Sequence, residues 1–333
     1  SNPMSKKILI TGGSGLLGSY LIRWFLQQGY TQITSTYTNT LDTVAPYLRD
    51  AVEWKQLALP DKMAAFDIVQ GHEWVIHAAA KVSYLAGDKY RLLEINKTGT
   101  EHIVNACLAH DVAHLVYVGS IGALGRETDH VTLKESTPWL DNEFSNSYGL
   151  SKYLGELEVW RGAGEGLNVS VVLPSVILGS GDWQSSSLQI VDRIVHKSGW
   201  YPTGQTGFVD VRDISTFIGA LLEKSNTGGR WILNGANVTY RDLYHKFSVQ
   251  LGLDKKFRPA PKWLAKTILI GSNLLKGGSL GKEMLNQAYG TFIYDSSKSL
   301  TVKGFSYRPM DETIKDVALA YKSDHHQGGI LPF

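Results

Sequence analysis

The chain has 333 residues, of which 43% are hydrophobic and 19% are charged, and its formal net charge is +2. This length suits two domains or one large one, and the near-neutral charge gives no electrostatic argument for nucleic-acid binding. The single cysteine, Cys107, leaves no intrachain disulfide or cysteine-based zinc site, no metal site is predicted, and the absence of a signal peptide or a bilayer-length apolar run leads us to expect a cytoplasmic protein without a membrane span.

The first predicted elements are a strand at 6–11 and an amphipathic helix at 15–28, with a glycine-rich turn between them. Gly12, Gly15 and Gly18 lie at three-residue intervals, which differs from the G-x-G-x-x-G fingerprint but follows the same physical logic. One glycine would make the tight turn, one would admit a pyrophosphate, and one would let the helix pack on the strand. The helix N-terminus would face the phosphates with free N–H groups. The turn predicts a dinucleotide site, and an ordinary tight turn is the alternative.

Strands and helices continue to alternate along the first half of the chain. Further strands are predicted at 32–37, 52–57, 74–78, 114–118 and 169–173, and further helices at 61–70, 89–110 and 147–161. Short apolar strands that alternate with helices predict an α/β fold with a doubly wound parallel sheet of the Rossmann type. Cofactors bind such sheets at the carboxyl ends of the strands. We therefore expect Ser120, Tyr148 and the turn at 77–80 to gather beside the glycine turn.

The pattern changes after Pro174, where a segment rich in glycine, serine and tryptophan begins, and the chain is mostly helical from Thr239 onward. We predict a smaller, mostly helical substrate lobe, interleaved with the sheet domain, in which substrate selectivity lies. The stretch at 263–275 is expected to be a packed amphipathic helix, with a peripheral membrane contact as the alternative. The predicted division is a dinucleotide-binding domain at 4–174 with 208–235 and a substrate lobe at 175–207 with 236–330.

Tyr148 and Lys152 are four residues apart on a predicted helix, so they would share one face. Moving a tyrosine pKa from about 10 to about 7 requires roughly 4 kcal/mol. An ammonium about 5 Å away supplies roughly 3 kcal/mol at an effective dielectric of about 20, while burial would oppose the shift. Tyr148 is thus a candidate general acid/base, and the Ser120 hydroxyl could orient the same substrate oxygen. The alternative is a chance Tyr-x-x-x-Lys spacing in a chain with 16 tyrosines.

These features belong to a longer series of motifs that runs through nearly the whole chain. The series is T-G-G-S-G-L-L-G at 11–18, H-A-A-A at 77–80, N-K-T-G-T at 96–100, G-S-I-G-A-L-G at 119–125, Y-G-L-S-K at 148–152, L-P-S-V-I-L-G-S-G-D-W at 173–183, F-V-D-V-R-D at 208–213 and G-F-S-Y-R-P at 304–309. With these motifs the chain resembles the extended branch of the short-chain dehydrogenase/reductase family. It is most similar to dihydroflavonol-reductase-like and nucleotide-sugar epimerase members.

The resemblance implies that Tyr148 is the general acid/base, that Lys152 holds the nicotinamide ribose and lowers the pKa of Tyr148, and that Ser120 binds the substrate oxygen. It also implies a homodimer that forms through two helices of the sheet domain. His77 is expected to be a structural hydrogen-bonding residue, and Asn96 to tie its helix to a strand. The expected cofactor-binding residues are Gly12, Ser14, Gly15, Leu16, Leu17, Gly18, Thr38, Asn39, Ala78, Ala79, Ala80, Tyr148, Lys152, Pro174 and Ser175.

Two departures from the family pattern concern the cofactor. An acidic residue usually contacts adenine near the end of the third strand, but Ala58 stands there, with Asp61 as a possible substitute. Thr38 and Asn39 follow the second strand, where NAD sites usually place a carboxylate and NADP sites an arginine. Because hydroxyl and amide groups can bond a phosphate and no carboxylate repels it, NADP(H) is predicted over NAD(H).

We predict an NAD(P)-dependent oxidoreductase that reduces a carbonyl, or oxidises a secondary alcohol, of a small organic substrate. The alternative is a nucleotide-sugar epimerase with tightly bound NAD. Basic and aromatic residues of its pocket could be Arg193, Tyr201, Arg212 and Arg258, which could equally be surface residues or ion pairs. A dehydratase is least expected, because no acidic residue lies beside Ser120. A cofactor-sensing protein without turnover is a further alternative, against which the retained tyrosine and lysine argue.

Overall fold

The computed structural model describes residues 3–197, 199–224, 228–276, 282–323 and 331–333. In chain order, its strands are β1 (Ile8–Thr11), β2 (Ile33–Tyr37), β3 (Glu53–Gln56), β4 (Trp74–His77), β5 (His114–Val118), β6 (His130–Leu133), β7 (Val169–Pro174), β8 (Val176–Leu178), β9 (Trp200–Tyr201), β10 (Gln205–Asp210), β11 (Gly229–Leu233), β12 (Ala236–Thr239), β13 (Arg258–Pro259) and β14 (Thr291–Tyr294). Its α-helices are α1 (Leu16–Gln27), α2 (Pro46–Ala51), α3 (Lys62–Val69), α4 (Lys89–Leu92), α5 (Gly99–Ala109), α6 (Ser147–Gly164), α7 (Gln189–His196), α8 (Val211–Glu223), α9 (Tyr240–Leu251), α10 (Lys262–Lys276), α11 (Lys282–Tyr289) and α12 (Met310–Lys322).

A parallel sheet forms the centre of the molecule. Within the described residues it has seven strands in the order β11-β7-β5-β4-β1-β2-β3. Strands β1, β4 and β5 are buried along their whole length, which suits apolar runs covered on both faces. The strand order reverses beside β1, so a crevice opens at the carboxyl ends of β1 and β4. The doubly wound Rossmann sheet and its predicted strands are thus confirmed.

Helices cover both faces of this sheet. Helices α1 and α8 pack together on one face, where an added Cβ at Gly219 would lie 2.1 Å from the Trp24 ring. Helices α3, α5 and α6 cover the other face, and the core there includes Cys107. Cys107 is fully buried, as expected for an apolar filler, and burial raises the pKa of its thiol.

A second, mixed sheet lies beyond the first and was not predicted. Its strands run in the order β12-β10-β14-β6, and β8 pairs with the last three residues of β10. Strand β14 interrupts a region that the sequence predicted to be mostly helical, although α9, α10, α11 and α12 do make most of that region helical. The strands are too short for a period of two to stand out from their surroundings. The division into two domains stays a prediction.

The helix predicted at 89–110 is irregular. A π-helical segment, Leu93–Thr98, separates α4 from α5, and such segments often mark functional sites. The buried Asn96 side chain lies in this segment and exchanges two hydrogen bonds with the backbone of Lys81, each 2.9 Å long. Asn96 also donates to the Ser151 hydroxyl at 2.9 Å. It therefore ties the segment to α6 and to the loop after β4, rather than to the strand itself.

The helix predicted at 263–275 is present as α10, but its apolar side chains are not packed as expected. Trp263, Ile268 and Ile270 are 69%, 63% and 52% exposed. The prediction of a packed helix is wrong for these three side chains, because a helix packs only where a neighbouring element covers it. Over the part of the chain that the structure describes, every helix is too short or too polar to cross a membrane.

Candidate active site

The glycine turn between β1 and α1 is held by close backbone contacts. Gly12 has a φ of +75°, and an added Cβ would lie 2.7 Å from the Cα of Ala79. An added Cβ at Gly18 would lie 2.1 Å from the Gly12 carbonyl oxygen. Side chains are therefore excluded at Gly12 by the turn conformation and the loop after β4, and at Gly18 by the packing of α1 on the turn.

Gly15 differs from its neighbours because the protein does not crowd it. Its backbone is extended, with a φ of −84°, and among the described residues an added Cβ would meet only the Gly12 carbonyl oxygen, at 3.4 Å. Gly15 is exposed and caps α1 without a side-chain hydrogen bond, so the first N–H groups of the helix are open. Space for close approach and open helix N–H groups are what a phosphate requires. The turn thus fits the pyrophosphate of a dinucleotide.

The loop after β4 is fastened to the end of β1. The Thr11 hydroxyl accepts hydrogen bonds from the backbone N–H groups of Ala78 and Ala79, both at 3.1 Å. Ala78 and Ala79 are partly buried and Ala80 is exposed, directly beside the glycine turn. These three alanines therefore lie at the carboxyl edge of the sheet, as predicted.

His77 is a buried link between β1, β4 and α5. Its Nδ1 lies 2.7 Å from the Thr11 hydroxyl and its Nε2 lies 3.2 Å from the Thr100 hydroxyl. Thr100 donates its own proton to the Asn96 carbonyl, so we assign the Nε2–H tautomer, with Nδ1 accepting from Thr11. Burial, with a smaller contribution from Lys152, lowers the pKa of His77 to about 3. The residue is neutral, and its contacts match the expected structural role.

The end of β2 lies next to the glycine turn, because the Thr36 hydroxyl accepts the Gly12 N–H at 2.9 Å. Thr38 and Asn39 follow β2 and are exposed, where they could meet an adenosine ribose. Ala58 is also exposed, whereas the Asp61 carboxylate caps α3 by accepting the Ala64 N–H at 3.0 Å. Asp61 is thus already engaged in a helix cap.

Ser120 and Tyr148 come together where the turn after β5 meets the start of α6. Ser120 precedes a short 3-10 turn, and its hydroxyl accepts the Gly122 N–H at 3.0 Å. Asn146 caps α6 by accepting the Gly149 N–H at 2.6 Å, which fixes Tyr148 in the first turn. Interaction with the Ser120 hydroxyl lowers the pKa of the Tyr148 phenol, so the two groups lie near each other.

The net effect of the protein on Tyr148 is opposite to the sequence-based expectation. Burial, with a smaller contribution from Tyr84, raises the pKa of Tyr148 and outweighs the effect of Ser120. The expectation that Lys152 would bring this pKa to about 7 is therefore wrong for the protein alone. The physical reason is that a partly buried phenolate loses its hydration. The phenol is accordingly protonated at neutral pH.

Lys152 is held firmly at the base of this site. Its ammonium donates to the Val118 carbonyl at 2.8 Å and lies 4.8 Å from the centre of the Tyr117 ring. The Tyr117 hydroxyl in turn donates to the Lys152 carbonyl at 3.0 Å. Burial lowers the pKa of Lys152 to about 7, although the nearby Glu156 carboxylate opposes this. Both protonation states of the lysine are therefore accessible near neutral pH.

The remaining predicted cofactor residues have mixed surroundings. Ser14 and Leu16 are partly exposed on the glycine turn, and Leu17 is buried. Pro174 ends β7 in the core, and the buried Ser175 hydroxyl donates to Asn234 at 2.8 Å. Because that hydroxyl donates to Asn234 and the Ser175 backbone N–H donates to the Leu233 carbonyl at 3.0 Å, neither donor is free for a cofactor.

Two residues near the site, Tyr84 and Arg126, were missed by the sequence analysis. The Tyr84 ring lies edge-on to the Tyr148 ring, with 5.9 Å between centres. Tyr84 also contributes to raising the pKa of Tyr240. Arg126 lowers the pKa of Tyr84. Tyr84 follows β4 and Arg126 follows Ser120 on the same loop, so their position after strand ends was the available signal. These residues line the side of the site that faces the second sheet.

Of the four residues considered for a nucleotide-sugar pocket, Arg212 lies apart from the other three. The buried Arg212 guanidinium pairs with Asp210 at 2.8 Å and with Asp316 at 2.9 Å, so it belongs to an internal ion network. Tyr201 is buried against the Tyr244 ring. Arg193 and Arg258 are exposed and lie near Tyr201, because Arg193 interacts with Tyr244 and Arg258 is on β13, which pairs with β9.

Comparison with known proteins identifies relatives over most of the chain. A family model described as the NAD dependent epimerase/dehydratase family matches residues 8–234. Cinnamoyl-CoA reductase 1 of Petunia hybrida is 25% identical over 317 residues, covering 89% of this chain and 92% of that protein. A putative dihydroflavonol 4-reductase of Synechocystis sp. is also 25% identical, over 336 residues, covering 94% of this chain and 94% of that protein.

Solved structures share the fold. The crystal structure of gox2253 has a TM-score of 0.82 at 24% identity and covers 98% of this chain and 100% of that one. The Bordetella bronchiseptica enzyme WbmH, solved in complex with NAD⁺, has a TM-score of 0.73 at 18% identity, covering 97% of this chain and 99% of that one. At these identities the likeness concerns the fold.

Proposed function

Since the chain belongs to the NAD-dependent epimerase/dehydratase family, within the extended short-chain dehydrogenases/reductases, we propose that it is an NADP(H)-dependent reductase of a small organic carbonyl compound. One observation carries the proposal: Ser120, Tyr148 and Lys152 lie near one another at the carboxyl edge of the sheet that also carries the open glycine turn. A proton donor, a hydroxyl that orients the substrate and a nucleotide site are then present in one crevice.

The glycine turn and the residues near it would hold the cofactor. The open N–H groups at the start of α1 would bind the pyrophosphate beside Gly15, and Ala78, Ala79 and Ala80 would lie along the ribose. Thr38 and Asn39 would hydrogen-bond the adenosine ribose and its phosphate. When bound, the reduced nicotinamide supplies the hydride to the carbonyl carbon.

The protein orients the substrate carbonyl and supplies a proton. The Ser120 hydroxyl hydrogen-bonds the carbonyl oxygen, and the Tyr148 phenol gives its proton to that oxygen as negative charge develops there. The raised pKa of Tyr148 suits reduction, because the phenol enters the reaction in its acid form. Lys152 lies one helical turn further along α6, where it would hold the nicotinamide ribose, as the family resemblance implies.

Reductase activity is favoured over epimerase activity because two candidates for a sugar-nucleotide pocket are engaged in internal contacts. These two candidates are Arg212 and Tyr201. The two relatives named above are a cinnamoyl-CoA reductase and a putative dihydroflavonol 4-reductase, which is consistent with the proposal. We also propose a homodimer, which light scattering of the purified protein would check.

The test is to purify the protein, identify any retained nucleotide, and titrate it with NADPH and NADH. Oxidation of NADPH is then followed with aromatic aldehydes, flavonoid ketones and aryl-CoA thioesters, and epimerisation is followed with UDP-sugars. The proposal predicts freely exchanging NADPH and turnover of at least one carbonyl class. Tightly retained NAD with epimerisation of a UDP-sugar would contradict it, and nucleotide binding without any turnover would favour a sensing protein.

A further inference from the structure

Arg126 is a buried cation on the loop between β5 and β6, six residues after Ser120. Only 5% of the residue is exposed. Its guanidinium donates to the Leu124 carbonyl at 3.1 Å and to the Tyr294 hydroxyl at 2.5 Å, and it lies 4.9 Å from the centre of the Phe292 ring. Each of these partners is neutral.

Two other arginines with little exposure, Arg212 and Arg230, are balanced by carboxylates. Arg212 pairs with two aspartates, and Arg230 pairs with Glu156 at 2.9 Å. Among the residues that the structure describes, by contrast, no carboxylate oxygen lies within the 4 Å ion-pair distance of Arg126, and its Nε–H has no acceptor. Burying a guanidinium without an anion is costly, because neutral partners do not replace the hydration that it loses.

Arg126 lies near the place where a substrate would bind, so a substrate could supply the missing anion. Its charge lowers the pKa of Tyr84, and the Tyr84 ring lies against the Tyr148 ring with 5.9 Å between centres. Tyr84 is 42% exposed, so a solute can reach its ring from solvent. The guanidinium therefore lies close to the place where, by the proposed function, the substrate carbonyl meets Tyr148.

We propose that Arg126 binds an anionic group of the substrate, so that the enzyme prefers carbonyl compounds that carry a carboxylate or a phosphate. This inference rests on the proposed reductase function. The planar guanidinium has five N–H donors in a fork that matches both anions, and hydrogen bonds between charged groups are the stronger ones. The aromatic rings of Phe292 and Tyr294 hold the guanidinium plane and exclude water from one side of it.

Binding of simple probes tests the inference without turnover. Benzoate, phenyl phosphate and the neutral benzamide are titrated into the protein by calorimetry, with and without NADP⁺. We expect at least one anion to bind the wild-type protein tenfold or more tightly than benzamide, and Arg126→Gln to remove that preference. Tighter binding of benzoate would indicate a carboxylate substrate, and tighter binding of phenyl phosphate a phosphorylated one. Equal affinity for all three probes would overturn the inference.

Two further variants separate recognition from folding. Arg126→Lys keeps the positive charge but not the fork, so we expect a weaker preference for the anion, and this variant serves if Arg126→Gln does not fold. Arg193→Gln removes an exposed cation near Tyr240 and Tyr244. Loss of the preference in Arg193→Gln, with its retention in Arg126→Gln, would place the anion site elsewhere and refute the assignment to Arg126.

Turnover distinguishes failure of this inference from failure of the proposed function. The wild-type protein and Arg126→Gln are compared on para-carboxybenzaldehyde and its neutral methyl ester. The inference predicts that the variant raises KM for the acid at least tenfold and changes KM for the ester little. Reduction of both aldehydes with equal kcat/KM would refute the anion site and leave the reductase intact. Anion-selective binding without reduction of any carbonyl would support the anion site and refute the reductase function.

Discussion

Gly149 lies directly on Gly122: a Cβ added at Gly149 would be 2.5 Å from the Gly122 carbonyl oxygen. This contact joins the turn after β5 to the first turn of α6, and so places the Ser120 hydroxyl within reach of the Tyr148 phenol. The proposed proton transfer therefore depends on two residues that carry no functional group.

Gly149→Ala should separate Ser120 from Tyr148. The added methyl group meets backbone rather than a movable side chain, so the turn or the helix must shift, at a cost of about 1–3 kcal/mol. We expect kcat/KM for carbonyl reduction to fall at least tenfold and the melting temperature to fall by several degrees. Gly164→Ala is the matched control, because an added Cβ in the last turn of α6 meets nothing within 4 Å. Full activity in both variants would show that the Gly122 contact does not set the catalytic geometry.

Gly15→Ala should weaken cofactor binding without destabilising the fold. Its Cβ has room in the protein and its backbone angles suit alanine, so the melting temperature without cofactor should change little. The methyl group would lie where a phosphate approaches, and calorimetry should show NADPH bound at least tenfold more weakly. Gly18→Ala, whose Cβ would lie 2.1 Å from the Gly12 carbonyl oxygen, should instead destabilise the fold. Unchanged NADPH affinity in Gly15→Ala would show that the pyrophosphate does not bind at this turn.

Asn39→Asp tests the predicted preference for NADP(H). Asn39 is exposed after β2, where a carboxylate would repel the 2′-phosphate and could accept a hydrogen bond from the 2′-hydroxyl of NAD(H). We expect the ratio of NADPH to NADH affinity to fall at least tenfold. The affinity for NADH, measured on the same preparation, is the internal control. A ratio that does not change would mean that Asn39 does not face the ribose.

Asp213 should make stability depend on pH. Burial, and then the charge of Asp210, raise the pKa of Asp213 to about 7, whereas an unfolded aspartate titrates near 4. Between these values the folded state binds the extra proton, so the contribution of this group is present below about pH 4 and is lost as the pH rises through about 7.

Asp213→Asn keeps the side chain neutral and can still accept the Arg308 backbone N–H, which lies 2.9 Å from the carboxylate. The variant should therefore be more stable than the wild-type protein at about pH 8, by about 1–3 kcal/mol, and the difference should shrink toward about pH 4. Urea unfolding at the two pH values measures it. A difference that grows toward low pH would contradict the raised pKa.

The central sheet and the position of the site were predictable, because both depend on local patterns. The apolar runs of β1, β4 and β5 and the glycines of the first turn each carry their own signal. The short strands of the second sheet could not be predicted, because pairing between distant segments such as β6 and β14 defines them.

The pKa values and charge contacts of the site could be predicted from the sequence less well than its location. Spacing alone placed Lys152 beside Tyr148, but not the burial that raises the pKa of the phenol or the Val118 carbonyl that holds the ammonium. Similarly, Arg126 has no motif, and its unusual surroundings arise from β14, which lies more than a hundred residues further along the chain. Burial and long-range contacts are tertiary properties, so a sequence pattern does not report them.

The proposed reduction depends most on Tyr148 as the proton donor, and the most direct measurement compares Tyr148→Phe with Tyr153→Phe. Both changes remove one hydroxyl from α6, but the Tyr153 ring is stacked on Trp139, with 5.2 Å between centres. The readout is the rate of NADPH-dependent reduction of a carbonyl substrate under saturating cofactor. We expect Tyr148→Phe to lose at least a hundredfold in kcat while it binds NADPH normally, and Tyr153→Phe to stay within twofold of the wild-type rate. Wild-type kcat in Tyr148→Phe would contradict the account.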